Sequence, residues 1–364
     1  MFGNRKSFCD GTHSRKFTIS QVNPAIAQES AGREIFRVLL LHGAWLCSNK
    51  IAKIPYLDRM FRYLLLLCLP LSLCAQRPSV HDPVMIRQDS TYYLFATGRG
   101  IAVWSSTDRQ TWKRGKPVFD KAPEWAVQAV PGYNGHTWAP DIQYHKGVYY
   151  LFYSVSTFGK NGSCIGLATN TSLQAGSPWK DHGKVIQSTP GQDDWNAIDP
   201  NLIFDEKDRP WLSFGSFWSG LKITQLNDTL TAPVGKLYSI ASRQTSNKAI
   251  EAPFIFKKDG YYYLFASTDF CCRGVNSTYK MIVGRARQLS GPYLDKDGKD
   301  LQQGGGTLLL EGNADWHGVG HNSVYTFDGK DYLVFHGYDA HDNGRSKLRM
   351  EVLSWWDGWP RIEK

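Results

Sequence analysis

Four carboxylates stand beside prolines at comparable places in this chain of 364 residues: His81-Asp82-Pro83, Ala139-Pro140-Asp141, Ile198-Asp199-Pro200 and Glu251-Ala252-Pro253. A fifth such place carries His321-Asn322. One acid beside one proline is ordinary turn punctuation. Four in equivalent settings are harder to dismiss, because crowded like charges are costly and persist where raised pKa values serve chemistry. The chemistry such a set suits is hydrolysis of a glycosidic bond. One carboxyl protonates the leaving oxygen while the other activates water or attacks directly. A third acid near the protonated one keeps it able to donate near neutral pH. Asp82, Asp199 and Glu251 are the candidates; Asp141 is expected to be structural or to orient substrate.

The elements that must bring these acids together are legible as a repeat. Tyr92-Tyr93-Leu94-Phe95 returns as Tyr149-Tyr150-Leu151-Phe152, Pro210-Trp211-Leu212-Ser213-Phe214, Tyr262-Tyr263-Leu264-Phe265 and Asp331-Tyr332-Leu333-Val334-Phe335. The aromatic before leucine falls at 93, 150, 211, 263 and 332, so the spacings are 57, 61, 52 and 69. Each copy follows a polar turn and a second apolar run, which together predict a β-hairpin. Further strand-like runs follow each hairpin, and helical periodicity is essentially absent after residue 76. Five units of about four strands predict an all-β fold, a five-bladed β-propeller. A β-sandwich would not repeat one hairpin five times. Proline tolerates the first position of a strand, so each proline marks an inner-strand start, and these starts meet on one face around the axis. Trp104, Trp125, Trp138, Trp195, Trp218 and Trp316 lie near strand ends or loops, where some should stack sugar rings.

The first 75 residues read differently. Residues 60–75, MFRYLLLLCLPLSLCA, have the plan of a secretory signal peptide and are too short to span a bilayer. Residues 1–59 are expected to be a spurious or disordered upstream extension, and 76–364 the propeller. The leader holds 10 of the 42 Lys+Arg and 4 of the 33 Asp+Glu, leaving 32 against 29, only +3, for the rest. The basic balance is therefore a poor argument for nucleic acid. Secretion or a periplasmic location follows, with a monomer expected. Leu73 before Cys74 argues against a lipid anchor there. The mature part keeps Cys164 and the adjacent Cys271-Cys272, which is no disulfide framework and no zinc pattern. Whether Cys271 and Cys272 are bonded is left open by the sequence.

At HDPVMI, WAPDI, NAIDPNLIFD, SFGSFWSGLKI, EAPFIF, CCRGVNSTYKMIVGRA and GVGHNSVY the chain resembles glycoside hydrolase family 43, and within it the endo-acting arabinanases. The last-named group is marked by SFGSFWSG and CCRGVNSTY rather than by the widespread HDP, IDP and EAP. The resemblance implies cleavage of α-1,5-linked arabinan with inversion of configuration. It makes Asp82 the general base, Glu251 the general acid, and Asp199 the group that orients the acid and tunes its pKa. Asn196, Ala197, Ile198 and Asp199, with Ser216, Phe217 and Trp218, match segments lining the central sugar subsite. Gly159 and Trp138 are further expected contacts. The resemblance also implies one calcium ion near the axis, held by His321 and mostly by water. Inversion needs room for a water, so Asp82 and Glu251 are expected roughly 6.5–9.5 Å apart.

Two rivals share the fold. An exo-acting β-xylosidase or α-L-arabinofuranosidase would close the groove into a pocket; a chain ending at Lys364, without an added β-sandwich, favours an open groove. A non-catalytic carbohydrate-binding propeller would keep the tryptophans but has no need of three acids.

Overall fold

The computed structural model describes residues 77–363, so the expected leader and signal peptide lie outside the described residues. Five antiparallel sheets follow one another along the chain. The first blade is β1 (Val84–Gln88), β2 (Thr91–Ala96), β4 (Ala102–Ser106) and β5 (Lys113–Arg114). The second is β6 (His136–His145), β7 (Val148–Val155), β8 (Ser163–Asn170) and β9 (Lys180–Ser188), with the two-residue β3 (Gly98–Arg99) added to its inner edge. The third is β10 (Asn201–Phe204), β11 (Pro210–Phe214), β12 (Leu221–Gln225) and β13 (Tyr238–Ala241). The fourth is β14 (Ile250–Lys258), β15 (Tyr261–Thr268), β16 (Lys280–Ala286) and β17 (Thr307–Leu310). The fifth is β18 (Trp316–Phe327), β19 (Lys330–Asp339), β20 (Arg345–Trp356) and β21 (Trp359–Ile362). A single α-helical turn and a half, α1 (Glu124–Ala129), lies between the first and second blades in sequence. This is the five-bladed β-propeller that the repeat predicts.

The first two strands of four blades are joined by tight turns whose residues carry positive φ: Asp89, Lys146-Gly147, Asp259-Gly260 and Asp328-Gly329. That is the twist a two-residue hairpin needs, and Asp-Gly supplies it at low cost. The third blade uses the longer Asp205–Arg209 turn, which is why its spacing slips by one residue. The apolar runs are continuous rather than alternating because each sheet is covered on both faces. Leu151 joins the cluster shared with the first blade, while the next residue, Phe152, joins the cluster shared with the third. Leu264 and Phe265 divide in the same way between the third and fifth blades. The ring closes where Met85 and Leu94 of the first blade meet Val334 and Leu348 of the fifth. Among the described residues no strand is shared across that seam; the backbone bond from Leu348 N–H to Pro78 O spans it.

The inner-strand starts obey one rule. In every blade the residue before the proline, or before Asn322, has positive φ: Asp82 (53°), Ala139 (36°), Asp199 (58°), Ala252 (56°) and His321 (50°). In the second, fourth and fifth blades the strand register shifts across this point, so the residue sits in a bulge that re-aims its neighbours. Its N–H is received by the residue four past the aromatic marker, in or just after the second strand of the preceding blade. Thr97 takes Ala139 N–H, Ser154 takes Asp199 N–H, Ser267 takes His321 N–H and His336 Nδ1 takes Asp82 N–H. The third blade has Gly215 at that place and can offer no side chain. There the N–H of Ala252 turns to the Asp199 carboxylate at 3.1 Å. Asp199 is thereby fastened to the backbone beside Glu251.

Asp141 lies one step deeper, at the register position of Val84, Asn201, Phe254 and Ser323. Its carboxylate accepts Leu202 N–H at 2.7 Å, and Asn201 repeats the device toward Ile255 N–H. Asp141 is therefore a staple between blades. At 2 % exposure, burial pushes its pKa up to about 7, although the bonds from Leu202, Asn201 and Ile142 oppose the shift. A carboxyl raised in the folded state binds more protons than in the unfolded chain, so its contribution to stability declines as pH rises from about 4 to about 7. Asp141→Asn is expected to flatten that decline: melting temperatures at pH 4.5 and pH 8 should differ less in the variant than in the parent. An unchanged difference would remove Asp141 from this account.

Candidate active site

Asp82 is the most heavily held side chain on the face where the inner strands begin. At 7 % exposure its Oδ1 receives Nδ1 of His81 at 2.9 Å and Nδ1 of His321 at 3.0 Å, while Thr97 donates to Oδ2. Burial works to raise the pKa of Asp82, but His321 and His81 outweigh it and hold the carboxyl well below the usual range. The reverse holds for His321: burial opposes its charge, the Asp82 carboxylate outweighs burial, and the imidazole is raised to about 9. Asp82 is thus held toward its anionic form by donors on two blades, the first and the fifth.

Glu251 stands one residue before the positive-φ position of its blade, the place of Trp138 in the second blade and His81 in the first. Ser216 pairs with it in a β-bridge, and Ser216 Oγ donates to Glu251 Oε2 at 2.7 Å. Asp199, 6 % exposed, is pushed up to about 8, first by burial and then by the neighbouring Glu251 and Asp82 carboxylates, with His321 pulling the other way. Asp82 and Asp199 therefore differ in charge at neutral pH: one is ionised, the other retains a proton next to Glu251.

Three of the expected site residues, Asp82, Asp199 and His321, occupy equivalent positive-φ positions, and all act electrostatically on one another. Asn196 and Ala197 are buried, Ala197 N–H bonding Ser188 and the Asn196 Oδ1 having no partner among the described residues. Ile198 is buried, and its carbonyl receives Gly215 N–H. Phe217 and Trp218 follow Ser216 with positive φ of 55° and 43° and are half-buried. Gly159 lies in the exposed loop after β7, beside Phe158, which is 82 % exposed. Trp138 is half-buried, and its indole donates to His136 Nδ1 at 3.0 Å. Thr97, His81 and His336 are the members that the sequence reading passed over. Their signal was present: His81 adjoins Asp82, and Thr97 and His336 each stand four residues past the aromatic marker of their repeats.

A model of the glycosyl hydrolases family 43 matches residues 76–360. The chain belongs to that family. It is a glycoside hydrolase. An extracellular exo-α-(1→5)-L-arabinofuranosidase of Cellvibrio japonicus is 51 % identical over 316 residues, covering 83 % of this chain and 91 % of that protein. An extracellular endo-α-(1→5)-L-arabinanase of Bacillus subtilis is 48 % identical over 290 residues, covering 79 % and 88 %. Among solved structures, the Cellvibrio cellulosa α-L-arabinanase complexed with arabinohexaose superposes with a TM-score of 0.77 at 50 % identity, over 79 % of this chain and 96 % of that one. No helix among the described residues is long and apolar enough to cross a membrane.

The family 43 resemblance also implied a calcium ion on His321, and the donor set can be tested against it. The Nδ1 of His321 faces Asp82 Oδ1, so Nε2 would be the ligand atom once the cation displaces the hydrogen that the raised pKa keeps there. An oxygen-seeking cation with one imidazole must complete its shell with water. The residues fit the ion on those terms.

Proposed function

We propose that this glycoside hydrolase cleaves internal α-1,5-L-arabinofuranosidic bonds of arabinan with inversion. The observation that supports this most is the unequal treatment of the carboxyls around one axis: an ionised Asp82 and a proton-retaining Asp199 beside Glu251. In this reading Asp82 Oδ takes a proton from a water lying opposite the leaving oxygen, and that water attacks the anomeric carbon. Glu251 gives its proton to the leaving oxygen. Asp199, anchored by Ala252 N–H, orients the acid, and burial together with the like charges around it keeps a proton at this pair of carboxyls. Ser216 holds Glu251 in place, and Asn196–Asp199, Ser216–Trp218, Trp138 and Gly159 contact the sugars. His321 would hold the calcium ion, which when bound adds positive charge near the axis. Extracellular relatives support secretion of this protein.

The 51 % identity to an exo-acting enzyme favours one second reading, release of short products from a chain end. Product analysis separates the two. Linear arabinan incubated with the protein should yield early a ladder of oligosaccharides of many lengths. A single short product from the first minutes establishes the exo reading, and no release from arabinan ends both. Repeating the assay after EDTA treatment and after restoring calcium chloride tests the ion: activity unaffected by either removes it from the site.

A further inference from the structure

The catalytic-face residues described so far leave unexplained a chain of polar contacts that leads into Asp82 from the loop after β15. Cys271 and Cys272 form a disulfide between adjacent residues, and Cys272 has a positive φ of 66°. The N–H of Cys272 donates to Tyr338 Oη at 2.8 Å. Tyr338 Oη lies 2.7 Å from His81 Nε2, and His81 Nδ1 lies 2.9 Å from Asp82 Oδ1. A phenol hydrogen given to Nε2 and an imidazole hydrogen on Nδ1 given to Asp82 satisfy both contacts of His81. A phenol has one hydrogen and two lone pairs. With one lone pair occupied by Cys272 N–H, its hydrogen is free to serve Nε2, and the imidazole then carries its own hydrogen on Nδ1, toward the carboxylate. Burial of Tyr338, which raises its pKa, keeps that hydrogen in place. The His81 ring is further fixed by stacking on His336 with centroids 3.9 Å apart.

We propose that Tyr338 and His81 are positioning residues for the base: the chain from Cys272 N–H through Tyr338 and His81 sets the His81 tautomer and so aims Asp82 at the water. The inference rests on the reading of Asp82 as the base. Every donor along the chain points the same way, so each bond strengthens the next toward an anionic end. Outer hydrogen bonds of this kind, where they hold the ligands of metal sites, are worth about 10–100-fold in affinity or activity.

The test is kinetic and spectroscopic, on a linear arabino-oligosaccharide. Tyr338→Phe is expected to lower kcat about tenfold with KM within about twofold, the signature of an interaction used in the transition state. His81→Asn retains a side-chain N–H where Nδ1 stood but cannot reach Tyr338. In that background Tyr338→Phe should cause no further loss, because the two belong to one chain. Nitrogen-15 shifts of the His81 ring in the unaltered protein should show hydrogen on Nδ1 and none on Nε2, a readout that needs no variant to fold. An unchanged kcat in Tyr338→Phe, losses that multiply in the double variant, or hydrogen on Nε2 overturns the inference. Asp82→Asn is the control for the reading beneath it. If Asp82→Asn keeps normal turnover, the base assignment fails; if it loses turnover while Tyr338→Phe does not, only the positioning chain fails.

Discussion

Glu251→Gln should lower turnover of arabinan by about 10²–10⁴-fold, the usual worth of general acid catalysis. The amide is nearly isosteric and can still accept the Ser216 hydroxyl on its oxygen, so the β-bridge and the fold should persist. What is lost is the proton for the leaving oxygen. A substrate whose leaving group needs no proton, an aryl glycoside of a short α-1,5-arabino-oligosaccharide, should therefore lose far less than arabinan. Equal losses on both substrates would count against Glu251 as the acid. The Asp199 proton makes the outcome sharper. Asp199 is the group that holds a proton at neutral pH next to Glu251, and it is tied to Ala252 N–H, away from free rotation. If it could deliver that proton itself, the leaving-group difference would vanish.

Asp82→Asn is the second large effect, again about 10²–10⁴-fold. Here the leaving group should not matter, since both substrates need an activated water. Sodium azide should restore part of the lost turnover, because an anionic nucleophile needs no base. The product should be a glycosyl azide of inverted configuration. Azide would invert equally if Asp82 were the nucleophile of a double displacement, so the anomeric configuration of the first product from the unaltered protein decides between the mechanisms. No rescue with any nucleophile would mean that Asp82→Asn acts by disturbing the face. That face is sensitive, for Asp82 joins His81, His321, Thr97 and, through its backbone, His336. Melting temperature measured alongside separates the two.

The fold was written plainly in the chain because each blade repeats one aromatic hairpin, and continuous apolar runs report sheets covered on both sides. The acids were legible because prolines mark the same point in four blades. The depth of each acid was less so. Asp82, Asp141 and Asp199 look alike beside their prolines, yet Asp141 follows its proline and lands one register step inward, where it binds the next blade. The histidine set around Asp82 was invisible as a set: His81, His321 and His336 span 255 residues of sequence, and only closure of the ring between the first and fifth blades brings them together. The Cys271–Cys272 bond was undecidable because adjacent cysteines pair only when the local turn permits it.

The five positive-φ starts have a consequence beyond this reaction. A non-glycine residue held in that conformation costs on the order of 1–2 kcal/mol, and all five blades bear it, although only Asp82, Asp199 and His321 put a functional group there. Ala139 and Ala252 occupy the same backbone setting, each with a proline behind it and a hydrogen bond to the neighbouring blade. They are idle sockets on a machined mount. A designer seeking a new activity in this scaffold finds the backbone at 139 and 252 already set by repetition, and the packing around these two buried alanines is what must be opened to admit a longer side chain.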